Sequence, residues 1–281
     1  MKNLSGKVAV ITGAGSSLGR AAALALAREG MRVAVADLDG EGLENVAQEL
    51  RFAGANVAAY RTDVSRAEDM DALAARVLDE MGGVQLVCNC AGVAIAAPVW
   101  ETTVADWQWT LGVNLWGVIH GIRTFVPRLL AQDAGHIVNV ASIAGLISPP
   151  GSGAYAAGMH AVVSLSEALH HDLREIGSNV GVSVLCSAYV PTGSPESERK
   201  RPKEFANPPR ELSPLQRAKQ AMLRKAAQSG RISEEQVAQM MIAGIKANRF
   251  YILTHPRIKG TVEDRLQDIL QERPPHNPLA A

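Results

Sequence analysis

Cysteine is scarce in this chain, and the three residues present, Cys88, Cys90 and Cys186, have no zinc-ligand spacing. An odd number of thiols, two of them in an apolar strand-like run, argues against a disulfide scaffold and for a reduced, intracellular setting. Net charge is also missing: 28 Lys and Arg balance 28 Asp and Glu. That removes the electrostatic reason to expect nucleic acid or an anionic membrane as partner. No apolar run is long enough to span a bilayer, and the opening MKNLSGKVAVITGAG starts a strand with no leader before it. The expectation is a cytoplasmic protein whose partner is a small molecule. What the chain does have is 281 residues, 47% of them hydrophobic, enough for a sizeable core.

Short apolar runs alternate with longer amphipathic ones. Strands are expected at 8–11, 32–36, 56–60, 84–88, 136–140, 180–185 and 250–253, with helices at 20–29, 41–53, 67–81, 105–131, 152–176 and 233–248. This alternation predicts an α/β fold: a single-domain, doubly wound, parallel seven-stranded sheet with helices on both faces. The 233–248 helix opens on a Ser-x-x-Gln cap. From Pro191 to about 230 the chain turns charged and proline-rich, holding Pro195, Pro202, Pro208, Pro209 and Pro214. It reads either as a solvated loop or as a lid over a substrate site, since long insertions in compact domains usually serve function. Residues 255–281 read as a C-terminal extension with a frayed end. No repeat and no interdomain linker is visible.

Residues 12–19 read TGAGSSLG, between the first strand and the first helix. Such a turn lets backbone N–H groups meet a pyrophosphate at the positive end of the helix. Gly13, Gly15 and Gly19 supply bare backbone, with Ser16, Ser17 and Leu18 between them. Asp37, followed by Leu38, ends the second strand. A carboxylate there accepts hydrogen bonds from both ribose hydroxyls of NAD(H) and repels the 2′-phosphate of NADP(H). No lysine or arginine lies inside the turn to offset it; Arg20 comes just after. The expected cofactor is NAD(H), preferred over NADP(H).

At this point the sequence resembles the short-chain dehydrogenase/reductase family, over roughly residues 5–255. The family's TGxxxGxG turn is matched except that Ser17 stands where the middle glycine falls. The resemblance implies an adenine cradle at Asp63-Val64 and a cofactor-lining turn at Asn89-Cys90-Ala91-Gly92, with Cys90 replacing an asparagine. It implies a structural and catalytic asparagine at Asn114, and nicotinamide contacts at Val190 and Thr192. It implies, finally, that Ser142 and Tyr155, 13 residues apart, are the catalytic pair. Hydride transfer at carbon changes the charge on the attached oxygen. One O–H must therefore exchange a proton with it, and a second must stabilise it. In the resemblance Tyr155 and Ser142 fill these roles.

The family's lysine, four residues after the tyrosine, is Met159 here. Position i+4 shares a helix face with i, so Met159 stands where the lysine would. Methionine brings no charge and no donor. His160, one residue on, is turned about 100° around the helix and does not substitute. Ser17, Cys90, Met159 and Ser187 all depart from the pattern near the cofactor. The leading expectation is an NAD(H)-dependent oxidoreductase acting on a secondary alcohol/ketone pair or a related C=N bond. The alternative is a cofactor-binding protein of the same fold with little turnover, or a site retuned for other reductive chemistry. Trp100, Tyr189 and residues 93–99 suggest either a hydrophobic pocket or core packing. The two long helices carry more apolar surface than one buried stripe needs, so a homo-oligomer, tetramer or dimer, is expected.

Overall fold

The computed structural model describes residues 1–188, 194–209, 211–228, 232–255 and 258–279. Seven parallel strands form one sheet in the order β3-β2-β1-β4-β5-β6-β7. They are β1 (Val8–Thr12), β2 (Arg32–Asp37), β3 (Val57–Arg61), β4 (Leu86–Asn89), β5 (His136–Ser142), β6 (Gly181–Ser187) and β7 (Tyr251–Leu253). Every residue of β1 is buried, because helices cover both faces and leave no polar side to alternate with. Ala9 and Ile11 face a core shared with α1 (Ser17–Arg28), α2 (Gly40–Phe52) and α8 (Glu234–Lys246). Val8 and Val10 face the opposite core, built with α3 (Ala67–Met81), α5 (Gly117–Ala131) and α6 (Gly153–Glu175). The two-residue period of the strand thus sorts its side chains between two layers.

The strand order reverses direction between β1 and β4. Crossovers leave this junction on opposite faces, which opens a crevice at the carboxyl ends of the strands. The fold class read from the sequence is the one observed. Ser233 caps α8 as expected: its hydroxyl accepts from the Gln236 N–H, and the Gln236 side chain accepts from the Ser233 N–H.

Three expectations are corrected. The 105–131 helix is not continuous: α4 (Val104–Leu111) and α5 are joined by one π-helical turn, Gly112–Trp116, which carries Asn114. Residues 191–230 are not simply an irregular segment. They hold 3₁₀ turns at Ser194–Lys200 and Lys203–Phe205, then α7 (Pro214–Gln228). The described residues of the C-terminal extension are not frayed either. It forms α9 (Ile258–Leu270), and Asp268, 3% exposed, pins the tail beyond it. The Asp268 carboxylate accepts from the His276 N–H at 2.8 Å, lies 2.7 Å from His276 Nδ1, and pairs with Arg273 at 3.1 Å. Among the described residues no helix is long and apolar enough to cross a membrane.

Candidate active site

A cleft of about 930 Å³ runs across the carboxyl ends of the strands. Its first half is built from backbone. Gly13, at φ +66°, brings β1 so close to the loop after β4 that a Cβ would lie 2.6 Å from Ala91 Cα. No other residue fits there. Ser16 makes no side-chain cap, so the first N–H groups of α1 are left to an incoming anion. Ser16, Ser17, Leu18, Gly19, Asp37, Leu38, Asp63, Val64, Ala91 and Gly92 all line this part of the cleft. Gly15 and Asn89 do not. The Gly15 N–H donates to Asp37 Oδ2 at 2.9 Å, and the Asp39 N–H donates to Oδ1 at 2.9 Å. These two bonds fix the direction of the Asp37 carboxylate.

Asn89 is turned into the core. Its amide donates to Asn139 Oδ1 at 2.8 Å, Asn139 donates to Ser166 at 2.9 Å, and Ser166 donates to the Val162 carbonyl at 2.7 Å. This buried polar chain ties β4 through β5 to α6. Ser17 has φ +50°, the left-handed region, which accounts for the glycine usual at that position in the resemblance.

Cations reach this half from an unexpected direction. Arg20, adjacent to the turn, is turned away to Glu49 at 2.6 Å. Arg199 and Lys200 come in from the 3₁₀ segment after β6 and line the cleft. Lys200 Nζ lies 3.1 Å from Asp39 Oδ2 and donates to Ser16 Oγ at 3.4 Å. The Gly42 N–H first, and Lys200 second, hold the Asp39 carboxyl below its ordinary pKa. Lysines in a proline-rich charged run carry no periodic signal, so sequence reading had no means of placing them here.

The second half of the cleft is built from side chains. Ser142, at the end of β5, accepts from the Ala144 N–H at 3.2 Å and donates to the Ser187 carbonyl at 3.4 Å. Tyr155 stands in the first turn of α6, on the same cleft wall as Ser142 and Met159. Burial pushes the Tyr155 phenol above its ordinary pKa; the Ser142 hydroxyl acts in the opposite direction, and no cation contributes. Desolvation penalises the phenolate, and the Ser142 bond offsets only part of that cost. Met159, 4% exposed, packs with Val118, Ala141, Val184 and Cys186, an apolar nest in which burial also pushes the Cys186 thiol up to about 12.

Asn114 does not line the cleft. Its side chain accepts from the Val93 N–H at 2.8 Å and donates to the Val93 carbonyl at 2.9 Å. The π-helical turn thereby holds the loop after β4, whose Val93, Ala94, Ile95 and Ala96 form an apolar wall. His160 donates to the Ala156 carbonyl at 2.9 Å and faces a separate depression with Arg265, as its helical position implied. Trp100 is 78% exposed and lies outside the cleft, correcting the expectation that it lines a pocket. Tyr189, Val190 and Thr192 lie outside the described residues.

The roof is anchored firmly. Arg201 pairs with Asp106 at 2.7 Å, their side chains 6% and 4% exposed, and its guanidinium lies over Trp109 at 4.4 Å. Asn207 donates to the same carboxylate at 2.8 Å, and Ser197 Oγ accepts from the Ala94 N–H at 3.2 Å. Beyond this strap, Lys219, Met222 and Leu223 of α7 and Leu279 of the tail close the wall. Among the described residues no group of three or more His, Cys, Asp or Glu could hold a metal ion.

A glycine turn at the switch point of a parallel sheet, facing a serine–tyrosine pair across one cleft, defines a class of dinucleotide-fold enzymes. The chain belongs to the short chain dehydrogenase family, matching it over residues 7–203. It is similar to a short chain dehydrogenase/reductase from Burkholderia phymatum, solved in complex with NAD, at 47% identity and a TM-score of 0.97, with 100% of each chain covered. It is 30% identical to the CLA biosynthesis dehydrogenase/reductase of Lactiplantibacillus plantarum over 278 residues, 98% of this chain and 97% of that one. It is 32% identical to the 1-deoxy-11-beta-hydroxypentalenate dehydrogenase of Streptomyces exfoliatus over 281 residues, 98% of this chain and 94% of the other. The chain is an enzyme of the dehydrogenase/reductase type.

Proposed function

We propose that the protein moves hydride between NAD(H) and an apolar secondary alcohol/ketone pair, with Tyr155 carrying the proton. The observation that carries this reading is that Ser142 and Tyr155 present two hydroxyls to the cleft that Asp37 and the glycine turn enter from the other end. The cradle fits a dinucleotide: Gly13 admits no side chain, the α1 N-terminus is uncapped, and Asp37 is aimed by two backbone donors. The solved relative that carries NAD supports the same cofactor. Asp37 favours NAD(H) over NADP(H) through repulsion of a 2′-phosphate.

When bound, the nicotinamide supplies the hydride acceptor or donor. The chain's own residues do the rest. Tyr155 takes the carbinol proton in oxidation or gives one to the ketone oxygen in reduction, and Ser142 donates a hydrogen bond to that oxygen. Asn114 positions the apolar wall against which the substrate lies. Asp63 and Val64 flank the adenine end, and Val190 and Thr192 are proposed to meet the carboxamide. The test is a panel of secondary alcohols with NAD⁺, followed by NADH absorbance. Oxidation of apolar members is expected, and no turnover of any member defeats the reading.

Met159 favours a second reading, reduction of a C=N substrate. An iminium arrives already protonated and needs less from a tyrosine that has no cation beside it. We also propose a homo-oligomer: Trp100, Trp116 and Leu270 are 78%, 52% and 75% exposed, more apolar surface than solvent favours. Light scattering at micromolar concentration is expected to give a multiple of the chain mass.

A further inference from the structure

One cation in the substrate half of the cleft has no part in the chemistry above. Lys219 stands on α7 and lines the cleft beside Met222 and Leu223. Its stem lies across Gly151: a Cβ there would come within 2.7 Å of Lys219 Cδ and 2.8 Å of Cγ. Gly151, at φ +84°, belongs to the turn that leads into α6 and to Tyr155 in its first turn. The bare glycine therefore leaves room for the lysine stem beside the turn that leads into α6.

Lys219 is half-buried and, among the described residues, takes part in no ion pair or hydrogen bond. Its basic neighbours on the strap are engaged: Lys200 with Asp39, and Arg201 with Asp106 and Glu198. Among the described residues, the carboxylates that line the cleft are Asp37, at the end of β2, Asp39 just after it, and Asp63 after β3. The same cleft is lined by Ile147, Pro149, Pro150, Met222 and Leu223, and the Lys219 stem packs on the backbone of Gly151 next to those prolines. An ammonium whose stem packs on such a wall keeps part of its hydration shell out, and a ligand anion restores the lost interactions.

We propose that the substrate is an apolar alcohol or ketone that bears a carboxylate, and that Lys219 binds that carboxylate. This rests on the oxidoreductase reading and narrows its substrate class. A single cation on an apolar wall matches a single negative charge. A phosphate dianion would leave its second charge desolvated and unpaired.

The test separates binding from turnover. 4-Acetylbenzoate and its methyl ester are titrated calorimetrically into the protein, with and without NAD⁺, where no reaction of the ketone proceeds. The acid is expected to bind about tenfold or more tightly than the ester, as a charge-assisted bond predicts. Lys219→Met closes that gap, Lys219→Arg keeps it, and raising the salt to about 0.5 M shrinks it. An acid that binds no tighter than the ester, or a gap that survives Lys219→Met, overturns the assignment. The corresponding alcohols are then offered with NAD⁺. An intact binding gap with no NADH formed brings down the oxidoreductase reading and leaves the carboxylate site standing. Equal kcat/KM for acid and ester, with turnover present, does the reverse.

Discussion

The two ends of the cleft are made of different material. The end toward β2 is made by backbone: Gly13 against Ala91, the open N-terminus of α1, and an Asp37 carboxylate held by two N–H groups. The end toward α6 is made by side chains gathered from β5, α6, the strap, α7 and the tail. A site made of backbone tolerates side-chain change, which is how Ser17 and Cys90 sit beside an intact cradle. A site made of side chains has no such reserve. Met159 brings no cation to Tyr155, and no other cation contributes to its ionisation. Binding is thus specified many times over, while the chemistry hangs on a few atoms.

The largest effect that could break this contrast is loss of the proposed proton carrier. Tyr155→Phe is expected to lower kcat by about 10²–10⁴-fold, the usual contribution of a positioned acid–base group. NADH affinity should be nearly unchanged, because the backbone end is untouched. Calorimetry beside steady-state kinetics decides it. A variant as active as the parent would mean that this wall does not perform proton transfer.

Next in size is Met159→Lys, expected to raise kcat/KM by about 10²-fold in both directions at fixed pH, since the two share one transition state. The pH profile sharpens the point. Oxidation needs the phenolate, and burial holds the Tyr155 pKa above the ordinary tyrosine value. The oxidation rate of the chain as it stands should therefore climb through pH 10 and beyond, while reduction, which uses the neutral hydroxyl, stays flat near neutrality. A lysine beside the phenol favours its charged form and moves the rise to lower pH. An unchanged rate and profile in Met159→Lys would remove the family's relay from this site.

At the backbone end the expected effects are smaller. NADH should bind about tenfold more tightly than NADPH, one charge repulsion near the surface being of that order. Asp37→Ala should narrow the gap. Lys200 makes the comparison sharper: 3.1 Å from Asp39, it brings a cation to the same end of the cleft as Asp37. Lys200→Met should widen the preference for NADH. Equal dissociation constants for the two cofactors in the parent would show that Lys200 offsets Asp37.

How much of this was legible follows from the same contrast. The sheet, its order of elements and the glycine turn were readable because apolar runs and glycine spacing are local signals. The Ser142–Tyr155 pair was readable from spacing within a resemblance. What was missed depends on distant contacts. The break at Gly112–Trp116 is required by Asn114 reaching Val93, 21 residues away. Neither residue announces this. α7 hides in a charged run because its apolar content is low and most of its described residues are solvated. Lys200, Lys219 and Leu279 reach the cleft from chain positions with no sequence relation to it. The tail is ordered by Asp268, whose partners follow it into a proline-rich end that reads as loose.

The smallest effect concerns Ser17, and it tests whether the backbone end is as tolerant as argued. Its left-handed conformation, φ +50°, costs a side-chain-bearing residue roughly 1–2 kcal/mol. Ser17→Gly relieves that, but glycine gives back about 0.5–1 kcal/mol through chain entropy. The variant also loses the hydroxyl that hydrogen-bonds Glu234. Burial raises the Glu234 pKa above the ordinary carboxyl value, and the Ser17 bond opposes that rise. Removing the bond lets the folded-state pKa climb further. A raised carboxyl costs nothing while it is protonated in both states, below the unfolded value. It destabilises the fold increasingly as pH rises through the folded value. The stabilisation from Ser17→Gly should therefore be largest near pH 4 and smaller at pH 7.5, which paired thermal melts of the two proteins at each pH will show. An equal gain at both pH values would mean that the Glu234 contact contributes nothing. A loss at both would mean that the turn needs its serine, contrary to the tolerance expected of a backbone-built site.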